Sequence, residues 1–347
     1  MSDDRHSSSG DALTIDPRPL ATYLRDRLPG LDGAVEVRRL AGGQSNPTYR
    51  INTPERSYVL RRKPPGPLLA SAHAIDREYR VLAALGRASA VPVPRVHLYC
   101  DDASVIGTPF YVMDLVEGRN FWDCTLPEVP RAQRRPCYRS MVEVLAALHS
   151  IDFEAAGLGD YGRPGGYFQR QIRRWSRQYL ETPDAGRVVA MERLIDWLPD
   201  HVPTDTSVSI VHGDYRCDNL IFHPAEPRVA AVLDWELSTL GHPLADFGYH
   251  LLPWRMPPLG VTGMLGADLD ALGLPAEAEY VAMYCELTGR DGIPDLDFYV
   301  SFSLFRLAAI FHGIRGRLLK GTSVNPRARE YAAAVDDVAE LAWAQIS

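Results

Sequence analysis

Apolar and polar residues alternate in three early stretches of the chain. AVEVRRL (34–40), TYRINT (48–53) and SYVLRRK (57–63) change character at every second position, as half-buried strands do. TPERS, at 53–57, supplies the breaker residues of a hairpin turn between the last two. The period then changes. In AIDREYRVLAALGR (74–87), Ile75, Tyr79, Leu82 and Leu85 recur at helical spacing, whereas PFYVMDLVEGR (109–119) reads as a buried strand that runs out in polar residues and Gly118. Beyond it the pattern is mainly helical, most clearly in YRSMVEVLAALHS (138–150). Strands with one helix, followed by a helical region, predict an α+β protein with a hinge near 114–118. The expected organisation is a disordered tail at 1–12, a β-rich N-lobe at 13–115 and a larger, mainly helical C-lobe at 116–347.

Composition narrows the class. A length of 347 residues with 46% apolar content is enough for roughly two domains of about 150 residues. No run approaches the ~18 apolar residues that cross a bilayer, so no membrane partner is expected. A formal charge of −7 argues against general nucleic-acid binding. The five cysteines (Cys100, Cys124, Cys137, Cys217, Cys285) are scattered and form no C-x-x-C pair, which suggests neither a disulfide framework nor a zinc site and fits a reducing cytoplasm. MSDDRHSSSGDA at 1–12 has no apolar core and carries acidic residues, unlike a transit peptide.

Candidate chemistry concentrates in IVHGDYRCDNLIFHPAEPRVAAVLDWE (210–236). Asp214 and Asn219 lie five apart in a loop; an apolar strand, a Pro-containing turn and a second apolar strand lead to Asp234. Phosphoryl transfer needs a carboxylate to orient the attacking hydroxyl and oxygen ligands for the Mg²⁺ that accompanies the phosphates. Carboxylate and amide oxygens suit that hard cation. A hairpin would return Asp234 beside the loop that carries Asp214 and Asn219. Taken one at a time, the same residues also serve as turn formers and a strand-end cap.

HGDYRCDN and VLDWE resemble the catalytic loop and metal-binding motif of the aminoglycoside phosphotransferase and choline kinase superfamily, relatives of protein kinases. GGQSNPTY, VLRRKPPG, DREYRVL, GYFQRQIRRW and LDWELSTLGHPLADFGYH are similar to the phosphotransferase-like N-terminal domains of certain acyl-CoA dehydrogenases and their stand-alone bacterial relatives. The resemblance implies a two-lobed protein-kinase-like fold that uses ATP and Mg²⁺. It also implies Asp214 as catalytic base, Asn219 and Asp234 as Mg²⁺ ligands and His212 as a structural loop residue. LADFGYH (244–250) contains a second kinase-like tripeptide, Asp246-Phe247-Gly248. Asp234 follows Asp214 by 20 residues, one short hairpin, whereas Asp246 follows by 32 and comes after LSTLGHPLA, a segment without strand character. The spacing therefore argues against Asp246 as the metal ligand, and the resemblance implies instead that it braces the catalytic segment.

The N-terminal half offers a matching nucleotide site. LAGGQSN (40–46), with Gly42, Gly43, Ser45 and Asn46, lies between two strand-like segments and resembles a kinase-type flap over phosphates; an ordinary glycine hairpin would look the same. Glu78 falls on the expected buried face of its helix, where a lone carboxylate is costly. Arg61, at the strand position where kinases place a phosphate-binding lysine, could pair with it and touch ATP, although strand alternation puts Lys63 on the same side. A rotated helix would instead turn Glu78 to solvent. FYVMDLVEGR resembles the hinge that reads adenine through its backbone, near Asp114 to Val116.

For the acceptor, Arg170, Arg173, Arg174 and Arg177 recur at i, i+3, i+4 and i+7 in GYFQRQIRRWSRQYLE (166–181). Such a face is either solvated or recognises an anionic small molecule, since guanidinium groups bind carboxylate and phosphate in forked pairs. The reading that follows is an ATP-dependent small-molecule kinase acting on a hydroxyl of an anionic metabolite, with a hydroxyacyl-CoA suggested by the resemblance. An aminoglycoside-type antibiotic phosphotransferase and a catalytically silent nucleotide-binding module are the alternatives.

Overall fold

A computed structural model describes residues 13–29, 31, 35–40, 46–66, 74–258, 263–323 and 326–347. The expected tail at 1–12 and three of the expected flap residues, Gly42, Gly43 and Ser45, lie outside the described residues. The chain divides into two compact units, 1–118 with 230–236, and 119–229 with 237–347.

The first unit opens with α1 (Pro17–Leu24). Asp16 caps it by accepting from the Arg18 N–H at 2.9 Å, and prolines at its start have no N–H to leave unpaired. Strands β1 (Glu36–Arg39), β2 (Thr48–Asn52) and β3 (Ser57–Arg62) follow, then α2 (Ile75–Ala88), β4 (Val96–Cys100) and β5 (Phe110–Asp114). They build one antiparallel sheet in the order β1-β2-β3-β5-β4. β3 is central and buried along nearly its whole length, because both of its faces are covered. Tyr58 and Leu60 join Leu20, Leu24, Ile51, Phe110 and Val112 in an apolar cluster. Arg61 instead reaches α2. β4 leaves little signal in the sequence, since VHLYC alternates over three residues only and stands behind Pro92 and Pro94; its pairing with β5 defines it.

In the second unit α3 (Arg131–His149), α4 (Tyr167–Leu180) and α5 (Val189–Trp197) precede β6 (Ser209–Val211) and β7 (Leu220–Phe222). Strand β8 (Val229–Val232) leads into the 230–236 segment of the first unit. The second unit resumes with β9 (Thr239–Gly241), α6 (Pro243–His250), α7 (Glu277–Thr288), α8 (Leu296–Leu319) and α9 (Val335–Ala344). α8 is the 24-residue hub, buried through most of its length and packed against α4, α6 and α9. β9 corrects one expectation: the segment LSTLGHPLA does contain a strand, paired antiparallel with β6 through Ile210 and Leu240. Gly241 makes this possible, because a Cβ there would meet Tyr167 and Val211 side-chain carbons at 2.8 Å. A three-residue strand dictated by close packing leaves no periodic trace in sequence.

Candidate active site

In the first unit Arg61, one residue before the end of β3, is buried and reaches α2. Its Nε lies 3.2 Å from Glu78 Oε2, and one terminal nitrogen donates to Asp234 Oδ1 at 2.8 Å; Glu236 Oε2 stands 3.9 Å away. Glu78 is 2% exposed, so the helix does present it to the interior. Burial, with Asp234 and Glu236 adding to it against the pull of Arg61, pushes the Glu78 carboxyl up to about 7. Burial alone would lower the Arg61 guanidinium, but Glu78, buried Tyr111 and Asp234 outweigh it and raise it. Asp234 sits at a φ of 61°, a left-handed conformation that Asp tolerates better than most side chains. Asn46 is buried just before β2. Lys63 follows β3 and its N–H donates to the Pro109 carbonyl; Glu78 is paired with Arg61. Asp114 ends β5 and takes a 2.6 Å contact from His97 Nε2, while Val116 is half-buried beyond it.

In the second unit a loop between β6 and β7 carries Asp214 and Asn219. Asp246, on α6, holds its start: the carboxylate is 2% exposed and accepts the backbone N–H groups of His212 and Gly213, the latter at 2.7 Å. Burial would raise the Asp246 carboxyl, yet the His149 imidazole 3.5 Å away, with His212 and the Gly213 N–H, brings it below its ordinary range. Gly213 has φ of 85°, and a Cβ there would meet the Leu237 carbonyl oxygen at 2.8 Å, so the loop needs glycine at this point. The kinase-like letters at 246–248 thus belong to a brace.

Asp214 is held at both oxygens. The Tyr249 hydroxyl donates to Oδ1 at 2.7 Å, and the Asn219 amide donates to Oδ2 at 2.9 Å and to the Asp214 carbonyl at 2.8 Å. Burial and the Asp214 charge push the Tyr249 phenol well above its usual value, so it keeps the proton it donates. Arg216 Nε lies 3.5 Å from Asp214 Oδ1, and Arg216 donates to Asp218 at 2.5 Å. Arg306, 8% exposed on α8, donates to the Gly213 carbonyl at 2.6 Å and stands over the rings of Tyr249 and Trp175. Sequence reading missed Tyr249, Arg216 and Arg306. A lone arginine inside FYVSFSLFRLAAIF was the available signal, because a cation in an apolar helix requires a buried purpose.

The arginine face of α4 is split. Arg170 folds back on the Gly165 and Arg163 carbonyls. Arg173, Arg174 and Arg177 are exposed, and among the described residues no carboxylate lies within ion-pair distance of them. Trp175, on the same helix, meets Arg306 and so ties α4 to the Asp214 loop. Beside that loop a cleft of about 80 Å³ opens, with Arg216, Asp218 and Tyr249 among its walls.

A family model for the phosphotransferase enzyme family matches residues 36–291. Acyl-CoA dehydrogenase family member 10 of Mus musculus is 45% identical over 335 residues, an alignment covering 95% of this chain and 31% of that protein. The chain therefore spans less than a third of that relative's length. A solved structure from Ralstonia eutropha, named as a candidate aminoglycoside phosphotransferase, is 46% identical, with a TM-score of 0.88 over 96% of this chain and 98% of that one. Choline kinase from Cryptosporidium parvum, only 12% identical, shares the fold, with a TM-score of 0.66 over 94% of this chain and 95% of its own. The α+β architecture is that of the kinase-like phosphotransferases, and the chain belongs to the phosphotransferase enzyme family.

Proposed function

We propose that the chain is an ATP-dependent small-molecule kinase that transfers the γ-phosphoryl group to a hydroxyl of an anionic metabolite, with a hydroxyacyl-CoA as the acceptor class. The observation that carries this is the Asp214 carboxylate, held in one orientation by Tyr249 and Asn219 in the loop whose motif matches the family. Each of its oxygens still has room for another hydrogen bond, which is what a base awaiting an acceptor hydroxyl requires. In the step proposed, the acceptor O–H donates its proton to Asp214 as its oxygen bonds to the γ-phosphorus. The bond to the bridging oxygen breaks, ADP leaves with that electron pair, and the proton remains on Asp214 until solvent takes it.

The donor chemistry suits Mg²⁺. Asn219 spends its amide N–H₂ on Asp214, leaving its carbonyl oxygen, and Asp234 offers the oxygen that Arg61 does not take. Among the described residues no group of three or more His, Cys, Asp or Glu could hold an ion without help. Mg²⁺ is commonly held by one or two carboxylates together with substrate phosphates. Asn219 and Asp234 would be its protein ligands, and the ion would neutralise charge on the transferring phosphate. Arg61, oriented by Glu78, is assigned to the ATP phosphates, with Asn46, Gly42, Gly43 and Ser45 as flap and Asp114 to Val116 as the adenine hinge.

The anionic acceptor is supported by the exposed guanidinium groups of Arg173, Arg174 and Arg177. Five free, buried cysteines fit a reducing cytoplasm, and no described helix is long and apolar enough to cross a membrane. The test is ADP release from Mg-ATP across hydroxyacyl-CoAs, aminoglycosides and choline-like alcohols. Asp214→Asn should leave ATP binding intact and lower turnover by about 10²–10⁴; a loss under about tenfold removes Asp214 as base. Arg173→Gln with Arg174→Gln should raise the acceptor KM by about 10² and leave the ATP KM within a few-fold. A polycationic aminoglycoside as best acceptor would overturn the anionic reading, and ATP binding without turnover of any acceptor would favour the silent module.

A further inference from the structure

The cleft beside the Asp214 loop has a polar end and an apolar body. Arg216, Asp218 and Tyr249 form the first, and Trp254, Leu307 and Phe311 belong to the second. Two of the polar residues touch the Asp214 carboxylate, Tyr249 at 2.7 Å and Arg216 at 3.5 Å, so the cleft stops one side chain short of the proposed base. Its body is rigid. The Phe311 ring stacks on Tyr331 with centroids 4.8 Å apart, and Trp254 is wedged between Tyr138 and Tyr280 at 5.3 and 4.8 Å. Among the described residues that line it, Asp218 is the one carboxylate, and Arg216 already takes it at 2.5 Å. A polycation would find no counter-charge in this space, and a polyol would find few partners for its hydroxyls.

We infer that this cleft binds the short, unbranched apolar chain attached to the acceptor's hydroxyl-bearing carbon. The inference rests on the kinase reading of Asp214, since only that role makes the polar end the place where a hydroxyl is presented. At ~10–15 Å³ for each water-sized position, about 80 Å³ admits a chain of about five to eight heavy atoms and then is full. Leu307, half-buried on α8, is an accessible part of the wall and takes no part in the loop's hydrogen bonds. The cleft therefore selects chain length: each added methylene should improve binding by about fourfold until the space is filled, after which the gain stops.

The experiment is calorimetric binding of free coenzyme A and of 3-hydroxybutanoyl-, 3-hydroxyoctanoyl-, 3-hydroxydodecanoyl- and 3-hydroxytetradecanoyl-CoA to the full chain without nucleotide, paired with acceptor-dependent ADP release. The parent should bind the longer chains at least tenfold tighter than coenzyme A, with a plateau. Leu307→Trp should remove that gain, and Leu307→Ala, which opens the wall, should move the plateau to a longer chain. Equal binding of all five ligands by the parent, or the parent's length dependence retained in both variants, overturns the subsite. A length-dependent gain that Leu307→Trp abolishes, without ADP release from any ligand, upholds the subsite and overturns the kinase reading. ADP release with a length dependence indifferent to residue 307 does the reverse.

Discussion

The two units bury charge by opposite means. In the first, one guanidinium, Arg61, faces three carboxylates: Glu78 at 3.2 Å, Asp234 at 2.8 Å and Glu236 at 3.9 Å. Burial, with the neighbouring anions adding to it, pushes the innermost carboxyl up to about 7. In the second, the buried Asp246 and the half-buried Asp214 are answered mainly by hydrogen-bond donors. Asp246 takes two backbone N–H groups and Asp214 takes a phenol and an amide. The difference teaches what each cluster can do. A cluster short of positive charge gains from the arrival of a cation, whereas a carboxylate held by hydrogen-bond donors is fixed in direction.

The comparison breaks most visibly at Asp246. Asp246→Ala would leave two buried N–H groups without an acceptor and remove the anion beside His149, at a cost of about 3–5 kcal/mol. Urea denaturation followed by far-UV circular dichroism measures it; a loss under about 1 kcal/mol would mean that the loop does not depend on this brace. Next in size is the acid response of the second unit. Burial lowers His242 and His250 to about 4, so both are neutral when folded. Unfolding returns them to about 6.5, where the unfolded chain binds more protons. Stability should therefore fall as pH drops from about 6.5 towards 4, by on the order of 3 kcal/mol for each histidine. His242 also accepts the Leu244 N–H at the start of α6, so His242→Asn keeps a cap and should flatten that slope. An unchanged slope would remove His242 as a contributor.

The first unit should respond with the other sign. Glu78 is raised above its ordinary value near 4.5, so the folded state holds a proton that the unfolded chain releases. Its contribution is complete below about 4.5 and is lost as pH climbs towards 7, by on the order of 3 kcal/mol, the pull of Arg61 being already part of that shift. Glu78→Gln should remove this dependence, and fluorescence-monitored denaturation at pH 5 and 8 reads the difference between parent and variant. If the parent gained stability relative to Glu78→Gln over this interval, the carboxyl would be depressed by Arg61 and the cluster would count as balanced.

Much of this contrast was legible in the sequence, and the unread part has a physical cause. Alternation marked β2 and β3, helical spacing marked α2, and a carboxylate on that helix's apolar face announced the partner that Arg61 supplies. The five-residue interval from Asp214 to Asn219 is bridged in the structure by two hydrogen bonds. Tyr249 and Arg306 escaped notice because they come from α6 and α8, far along the chain, and contacts of that range leave no periodic signature. β9 escaped because three residues are too few to show a period. The arginine repeat on α4 was visible, but its spacing could not tell that Arg170 spends itself on the carbonyls of Gly165 and Arg163 while its neighbours stay exposed.

The smallest expected effect is at Asp234, where the two clusters would differ most from one another in the consequence of losing a carboxylate. Its side chain is 35% exposed, so the bond to Arg61 is partly open to water and Arg61 keeps Glu78 when it is lost. The backbone matters as much as the charge. At a φ of 61° an alanine meets the left-handed penalty of roughly 1–2 kcal/mol, and a glycine does not. Asp234→Gly should therefore hold stability within about 1 kcal/mol of the parent, and Asp234→Ala should be the less stable of the two by about 1 kcal/mol, read by chemical denaturation at constant pH. Equal stability of the pair would mean that residue 234 does not hold a left-handed backbone. On the kinase reading both variants should lose the Mg²⁺ dependence of ATP binding measured by calorimetry, an effect with no counterpart in stability. Should Mg²⁺ still strengthen ATP binding in Asp234→Gly as in the parent, the metal role passes from Asp234 while the structural account of its backbone stands.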